Sequence, residues 1–145
     1  MSAGAGVHPF DVDTFLARPL VARVATAEPS VRPVWYLWED HAFWWLTGSW
    51  SKLPAALTDD PRVALVVDSC DLATGETLKV SASGRAEVLP FDADLSYRKL
   101  SRYLGPDRHT WDPRFGDYLV GAGAVLARLV PERLVARDLS FRPSA

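Results

Sequence analysis

Five of the chain's six tryptophans fall between Trp35 and Trp50, in two strand-like segments that are apolar on both faces, and this constrains the fold more than any other feature. Successive side chains of a strand point to opposite sides, so Val34, Tyr36 and Trp38 share one face of the first segment and Trp35 and Leu37 the other. In the second segment Phe43, Trp45 and Thr47 oppose Trp44 and Leu46. A sheet that is apolar on both sides must be covered twice. A barrel core is the expected first cover, and a second subunit or a flat aromatic partner the expected second. Tryptophan is a poor ordinary filler, because its bulk resists complete burial and its ring N–H needs an acceptor.

The neighbouring segments supply the rest of a barrel. Asp11 or Asp13 caps a short helix through Phe15 and Leu16 that stops before Pro19. Leu20 to Ala27, Val31 to Trp38 and Ala42 to Gly48 are rich in β-branched and aromatic residues and are joined by short polar turns, which predicts a three-strand meander. A short helix follows from Ser51, with Pro54 in its first turn where a missing N–H costs little. Arg62 to Asp68 and Leu78 to Leu89 read as strands, and Gly84 in the latter marks a bulge or a close backbone approach. Asp92 or Asp94 caps an amphipathic helix carrying Leu95, Tyr97, Leu100, Tyr103 and Leu104, ended by Gly105-Pro106. A short helix over Phe115 to Val120 and closing strands Ala124 to Val130 and Leu134 to Leu139, around a Pro131-Glu132 turn, complete the chain. Six or seven strands with helices inserted at two places predict a mainly β, antiparallel barrel with short helices.

Size and charge narrow the function. At 145 residues the chain is expected to be one domain over 1–145, with residues 1–10 flexible in composition; such a domain buries about two thirds of its unfolded surface. A net charge of -2 provides no broad basic field, so nucleic acid is not an expected partner. Cys70 is the one cysteine and His8, His41 and His109 are scattered, which excludes a disulfide framework and argues against a metal site. The N-terminus has no export-signal pattern, and Leu119 to Val125 is far short of the roughly 20 residues of a membrane span. A soluble, cytoplasmic protein is expected.

Several segments together resemble the pyridoxamine 5'-phosphate oxidase-like family of flavin and deazaflavin proteins, the split β-barrels. Leu20 to Thr26 is similar to the family's first strand, Arg32-Pro33-Val34-Trp35 to its second, and Thr47 to Lys52 to its phosphate-binding turn. Asp60-Pro61-Arg62-Val63 resembles the segment that opens the next strand, and Gly84-Arg85-Ala86-Glu87 its G-x-A strand. The match runs from about Phe15 to Phe141.

The resemblance implies a homodimer with FMN at the subunit interface and hydride transfer to or from a small molecule, with Arg32, Val34 and Trp35 near the ring and Thr47, Ser51 and Lys52 at the phosphate. It also implies a cofactor contact for Lys79, five positions before Gly84. The deazaflavin coenzyme F-420 is the alternative cofactor, and its long anionic tail would want more basic residues than follow Lys52. The turn carries a physical signal of its own: hydroxyls, free backbone N–H groups and a positive dipole end beside a lysine suit phosphate, although a capped helix with a solvated lysine has the same sequence. Leu53-Pro54-Ala55-Ala56 supplies none of the polar side chains common after that lysine in relatives, and Lys52 sits one residue farther from Asp60-Pro61 than usual. The long C-terminal segment of true pyridoxamine 5'-phosphate oxidases is missing, so that activity is not expected. A non-catalytic cofactor-binding or purely dimeric barrel is the second class of reading.

Three features keep two readings each. Arg32 and Lys79 are cofactor contacts or solvated strand cations, and Trp111 covers a pocket or anchors its loop on the partner subunit. The polar run from Asp107 to Arg114 reads as a solvated loop, since no paired acid and base is apparent. No side chain is assigned as a catalytic acid or base.

Overall fold

The computed structural model describes residues 7–116, 119, 121 and 123–144. Seven strands are present: β1 (Val21–Thr26), β2 (Ser30–Glu39), β3 (Ala42–Gly48), β4 (Arg62–Asp68), β5 (Leu78–Pro90), β6 (Ala124–Leu129) and β7 (Arg133–Asp138). Among the described residues three α-helices accompany them: α1 (Val12–Leu16), α2 (Leu53–Asp59) and α3 (Ala93–Leu104). All pairings are antiparallel, and the order β4-β1-β2-β3-β6-β5-β7 is closed by β4 pairing with β5. The result is a closed six-strand antiparallel barrel with one extra strand, the split barrel expected from the sequence. Among the described residues no helix is long and apolar enough to cross a membrane.

The split arises because two long strands change partners along their length. β2 pairs with β1 over Ser30–Trp35 and with β3 only over Tyr36–Glu39. β5 pairs with β4 and β7 over its first half and with β6 over Ala86–Pro90. β6 and β7 both run antiparallel to β5, and their registers, Ala86 opposite Leu129 and Ser83 opposite Arg133, differ by one residue. They therefore form one long line along a single edge of β5, interrupted by a bulge at residues 130–132, where the sequence had suggested a turn between separate strands. Gly84 lies against that bulge: a Cβ there would stand 3.1 Å from Glu132 N and 3.2 Å from Val130 O. The close approach expected at this glycine is thus real.

Caps and breakers act where the residue types place them. Asp11 Oδ1 accepts from Thr14 N at 3.0 Å to start α1, and Asp92 Oδ1 accepts from Leu95 N at 3.1 Å to start α3. α3 ends at Gly105, whose φ of 95° favours glycine, and Pro106 prevents its extension. Pro113–Gly116 forms a 3-10 turn where a helix over 115–120 was expected; residues 117, 118 and 120 of that expectation lie outside the described residues, as do residues 1–6 of the terminus expected to be flexible.

The tryptophan strands sort by face as alternation requires. Tyr36, Phe43 and Trp45 are fully buried in the barrel core with Val34 and Trp38 packed against them. The opposite face is covered by the chain itself. Leu37 packs with Leu95 and Leu126, while Trp35 packs with Leu100, Trp111 and Phe115. The second cover that the sequence assigned to a partner or a flat ligand is therefore supplied over these residues by α3 and the 3-10 turns after it. Trp111 anchors its loop within the same chain: its indole N–H donates to Gly105 O at 2.9 Å and its ring lies beside Tyr97.

Candidate functional site

Where β2 leaves β3 and turns to β1, the barrel opens. The last residue pair of the β2–β3 ladder is Tyr36 with Trp45; beyond it β3 continues beside β6, and the edge of β2 over Ser30–Trp35 that faces away from β1 pairs with no described strand. A cavity of about 620 Å³ fills the gap. β2 contributes Arg32, Pro33, Val34 and Trp35, β3 contributes Trp45, Leu46 and Thr47, and the β3–α2 turn contributes Trp50 and Ser51. α3 adds Lys99 and Leu100, and the second of the two 3-10 turns after it, Arg108–Thr110 and Pro113–Gly116, adds Arg114 and Phe115.

Five of the seven residues assigned to cofactor binding from the sequence, Arg32, Val34, Trp35, Thr47 and Ser51, line this cavity together. Lys52 and Lys79 do not. Lys52 is the exposed N-cap residue of α2 and makes no side-chain capping bond; the hydroxyl of Ser51 instead accepts from Leu53 N at 3.1 Å. Lys79 lies on β5 opposite Asp68 and Arg137, sharing the outward alternation of Ser81 and Ser83.

The cavity is rich in hydrogen-bond donors. Arg32 uses Nη2 to reach Ser30 Oγ at 2.8 Å, while its Nη1 is buried without a partner. The indole N–H of the fully buried Trp45 is likewise unpaired. Lys99 is only 5% exposed and has no hydrogen-bond or ion-pair partner among the described residues. Burial pushes its ammonium down to about 8. Arg114 lies over the Phe115 ring, 4.8 Å from its centroid. Among the described residues no carboxylate lines the cavity. Buried donors without acceptors are rare in native proteins, and those of Arg32 and Trp45 lie behind the cavity surface, within reach of a ligand's oxygen or ring-nitrogen acceptors only after the side chains turn toward it.

Aromatic packing fixes the wall. Trp35 is stacked on Tyr103, centroids 4.4 Å apart and planes 3° apart, and on Phe115 at 5.6 Å. The Tyr103 hydroxyl accepts from Tyr36 N at 3.0 Å and reaches Leu20 O at 2.7 Å. Arg102, next to it, donates to Leu16 O, Ala17 O, Arg18 O and Tyr36 O, joining α3 to the end of α1 and to β2.

Sequence reading did not single out Lys99. Its signal was present: Leu95, Lys99 and Tyr103 recur at spacing four and so share a helix face, which places a lysine among residues meant for burial. The sequence places Arg114 in a solvated loop, and its position at the cavity depends on a 3-10 turn that leaves no periodic pattern.

A larger shallow groove of about 680 Å³ lies elsewhere, on the outer face of β1, β4, β5 and β7, with Arg23, Val31, Val66, Ser81 and Arg137 among its residues. It contains none of the seven assigned residues.

Comparison with known proteins follows the fold. No curated protein matches the sequence. Among solved structures, a conserved hypothetical protein from Mycobacterium tuberculosis superposes with a TM-score of 0.75 at 19% identity, covering 100% of this chain and 98% of that one. An FAD-binding protein from Mesorhizobium loti gives 0.61 at 21% identity, covering 90% and 96%, and an F-420 reductase gives 0.60 at 22%, covering 87% and 97%. At such identities the likeness is one of fold. The family model described as pyridoxamine 5'-phosphate oxidase matches residues 11–117, and the chain belongs to that family.

Proposed function

We propose that the chain is a flavin-dependent oxidoreductase that holds FMN in the cavity between β2 and β3. The observation that carries the reading is the cavity itself: an aromatic wall of Trp35, Trp50 and Phe115 beside orphaned donors on Arg32 and Trp45. The fit is chemical. An isoalloxazine ring offers a flat apolar face and a row of oxygen and nitrogen acceptors along one edge, and a cavity of about 620 Å³ is within the range used for ligands of that size. Arg32, Val34 and Trp35 would hold the ring edge, and Thr47 and Ser51 its phosphate tail, with the exposed Lys52 next to Ser51 in the chain. The cofactor supplies two-electron hydride chemistry when bound. The protein's part is to orient the ring with the stacked Trp35–Tyr103–Phe115 wall and to exclude water with Leu100 and Phe115.

Two of the fold relatives carry names that bear on the cofactor, FAD-binding and F-420 reductase, which supports a flavin-type ligand and leaves the deazaflavin as the competing one. The single exposed Lys52 at the α2 end favours the short phosphate of FMN over a long anionic tail.

The reading includes a cytoplasmic homodimer. Its support is the outer face of β1, β4, β5 and β7, where Val31 is 67% exposed and shares the large groove with Ala25, Ala64, Val66 and Val135 as well as Arg23, Arg133 and Arg137. Lys79 stands on this face, so its cofactor contact would be made across the dimer. Sedimentation checks the assembly, and Val31→Arg together with Val66→Glu should give monomers.

The experiment that decides function is the absorbance spectrum of the purified protein, followed by titration with FMN and with coenzyme F-420 under tryptophan fluorescence. Trp35, Trp45 and Trp50 line the cavity, so binding should quench emission and raise the melting temperature. A colourless protein whose emission and melting temperature respond to neither cofactor would refute the oxidoreductase reading and leave the non-catalytic one.

A further inference from the structure

Lys99 is hard to explain by packing. A lysine that is 5% exposed, without an ion-pair or hydrogen-bond partner among the described residues, carries a desolvation cost with no return in the folded chain alone. An apolar residue of similar length would fill the same space. Its position is specific: it lies on the buried face of α3 and lines the cavity together with Arg32 of β2 and Arg114 of the 3-10 turn Pro113–Gly116. Three cations line one cavity, and no carboxylate among the described residues lines it.

We propose that Lys99, with Arg32 and Arg114, is the oxyanion-binding wall of this cavity, and that the small molecule taken there bears a carboxylate or phosphate at that wall. The inference deepens the cofactor reading, on which its flavin arms rest, by naming the chemistry of what the site accepts. Arg32 supplies a guanidinium with one nitrogen anchored on Ser30 and the other buried without a partner. Lys99 supplies a point charge in a site of low dielectric, where a pairing is worth far more than at the surface. Arg114 closes the rim from its perch on Phe115.

Binding should be coupled to protonation. The charged groups lining the same space are Arg32 and Arg114, with Tyr103 one turn along α3, and all three leave the ammonium without a counter-charge. An arriving oxyanion supplies one, and so raises the lysine's affinity for its proton.

The test uses the full chain and Lys99→Met, with FMN, riboflavin, benzoate and inorganic phosphate as probes. Titrations of FMN and riboflavin at pH 7 form one arm; benzoate and phosphate, added to the protein with and without FMN, form the other. At least one anionic probe should bind Lys99→Met tenfold or more weakly than wild type, with riboflavin changed less than twofold. Loss confined to FMN identifies the oxyanion as the cofactor's phosphate, and loss of benzoate or phosphate binding to the FMN-loaded protein identifies it as the substrate's. Calorimetry of that probe at pH 9 in two buffers should show uptake of roughly one proton in wild type and none in the variant, a signature that a packing role would not give. The proposal is overturned if every anionic probe binds both proteins within twofold, if none binds wild type, or if riboflavin binding falls as far as FMN binding. Failure of both flavins to bind wild type, with benzoate or phosphate binding still dependent on Lys99, would instead refute the cofactor reading and leave the oxyanion site standing.

Discussion

Tyr103 lies flat on Trp35 with 3° between the ring planes while its hydroxyl sits between the backbone of β2 and the carbonyl of Leu20 just ahead of β1. One side chain thus does two separable jobs. The ring backs the cavity wall, and the hydroxyl satisfies the Tyr36 N–H at the point where β2 changes partners. Tyr103→Phe keeps the first and removes the second, leaving a partly buried N–H without its acceptor at a cost of about 1–3 kcal/mol. Tyr103→Ala removes both, and about 2–4 kcal/mol is expected from loss of a half-buried aromatic together with its hydroxyl. Urea unfolding of the two variants measures the split. Ligand quenching of Trp35 should survive in Tyr103→Phe and weaken in Tyr103→Ala, because only the second frees the Trp35 ring.

Arg102 holds α3 to the barrel through carbonyls and not through a carboxylate. Its guanidinium donates to Leu16 O and Arg18 O at 2.9 and 2.7 Å and to Ala17 O at 3.2 Å, and lies 5.3 Å from the Tyr36 ring centroid. Three consecutive carbonyls at the end of α1 are held by one planar group, a geometry a lysine cannot reproduce. Both Arg102→Lys and Arg102→Met should therefore destabilise by about 2–4 kcal/mol, with lysine recovering less than half of the loss. Full recovery by lysine in denaturant unfolding would show that charge, and not the fork, matters here.

These two residues also mark how far sequence reading reaches. Strand and helix boundaries were legible because alternation, caps and breakers are local: Asp92 capping α3 and Gly105-Pro106 ending it follow from residue type alone. Five residues of the candidate cavity were legible through family likeness at the β2 segment and the β3–α2 turn. What was not legible is what α3 and the 3-10 turns bring back across the sheet. Trp35 faces Tyr103 across 68 positions of chain, and no pattern in either segment names the other. Lys99 was hidden for a different reason, since a lysine within an apolar helical face is normally read as a solvated edge whose stem alone packs. The intrachain cover of Leu37 and Trp35 was illegible on the same ground: α3 is amphipathic by pattern, but the surface that its apolar face meets is not named by it.

Gly84 should resist substitution. A methyl group there would meet Glu132 N and the Leu129 side chain at 3.1 Å and Val130 O at 3.2 Å, and two of these three atoms are backbone of the bulge that joins β6 to β7. Backbone cannot swing aside as a side-chain tip can, so Gly84→Ala is expected to destabilise by about 1–3 kcal/mol and Gly84→Val by more. Thermal unfolding measures the loss. Hydrogen exchange adds the location: the Glu132 N–H, bonded to Ser83 O at 2.9 Å, should lose protection before the β1–β2 ladder does.

Lys99 makes a prediction about stability that is independent of any ligand. Burial lowers its value from the ordinary 10.5 to about 8, so the native state holds this proton less tightly than the unfolded chain. Between about pH 8 and 10.5 the unfolded chain keeps the proton that the folded one has released, and stability rises with pH across that window. Below about pH 8 both states are protonated, and the fold carries the whole penalty of a buried charge; above about 10.5 neither is, and the penalty is gone. The separation corresponds to roughly 3 kcal/mol. Lys99→Met should accordingly stabilise the ligand-free protein by about 2–3 kcal/mol at pH 7, a gain that shrinks as pH rises through this window. Urea unfolding of wild type and variant at pH 7, 9 and 10.5 measures it, and groups common to both proteins cancel in the difference. A gain that stays constant with pH would mean that methionine merely packs better. A gain that vanishes on adding the oxyanion identified in the binding experiment would show the same buried charge being neutralised from the cavity side.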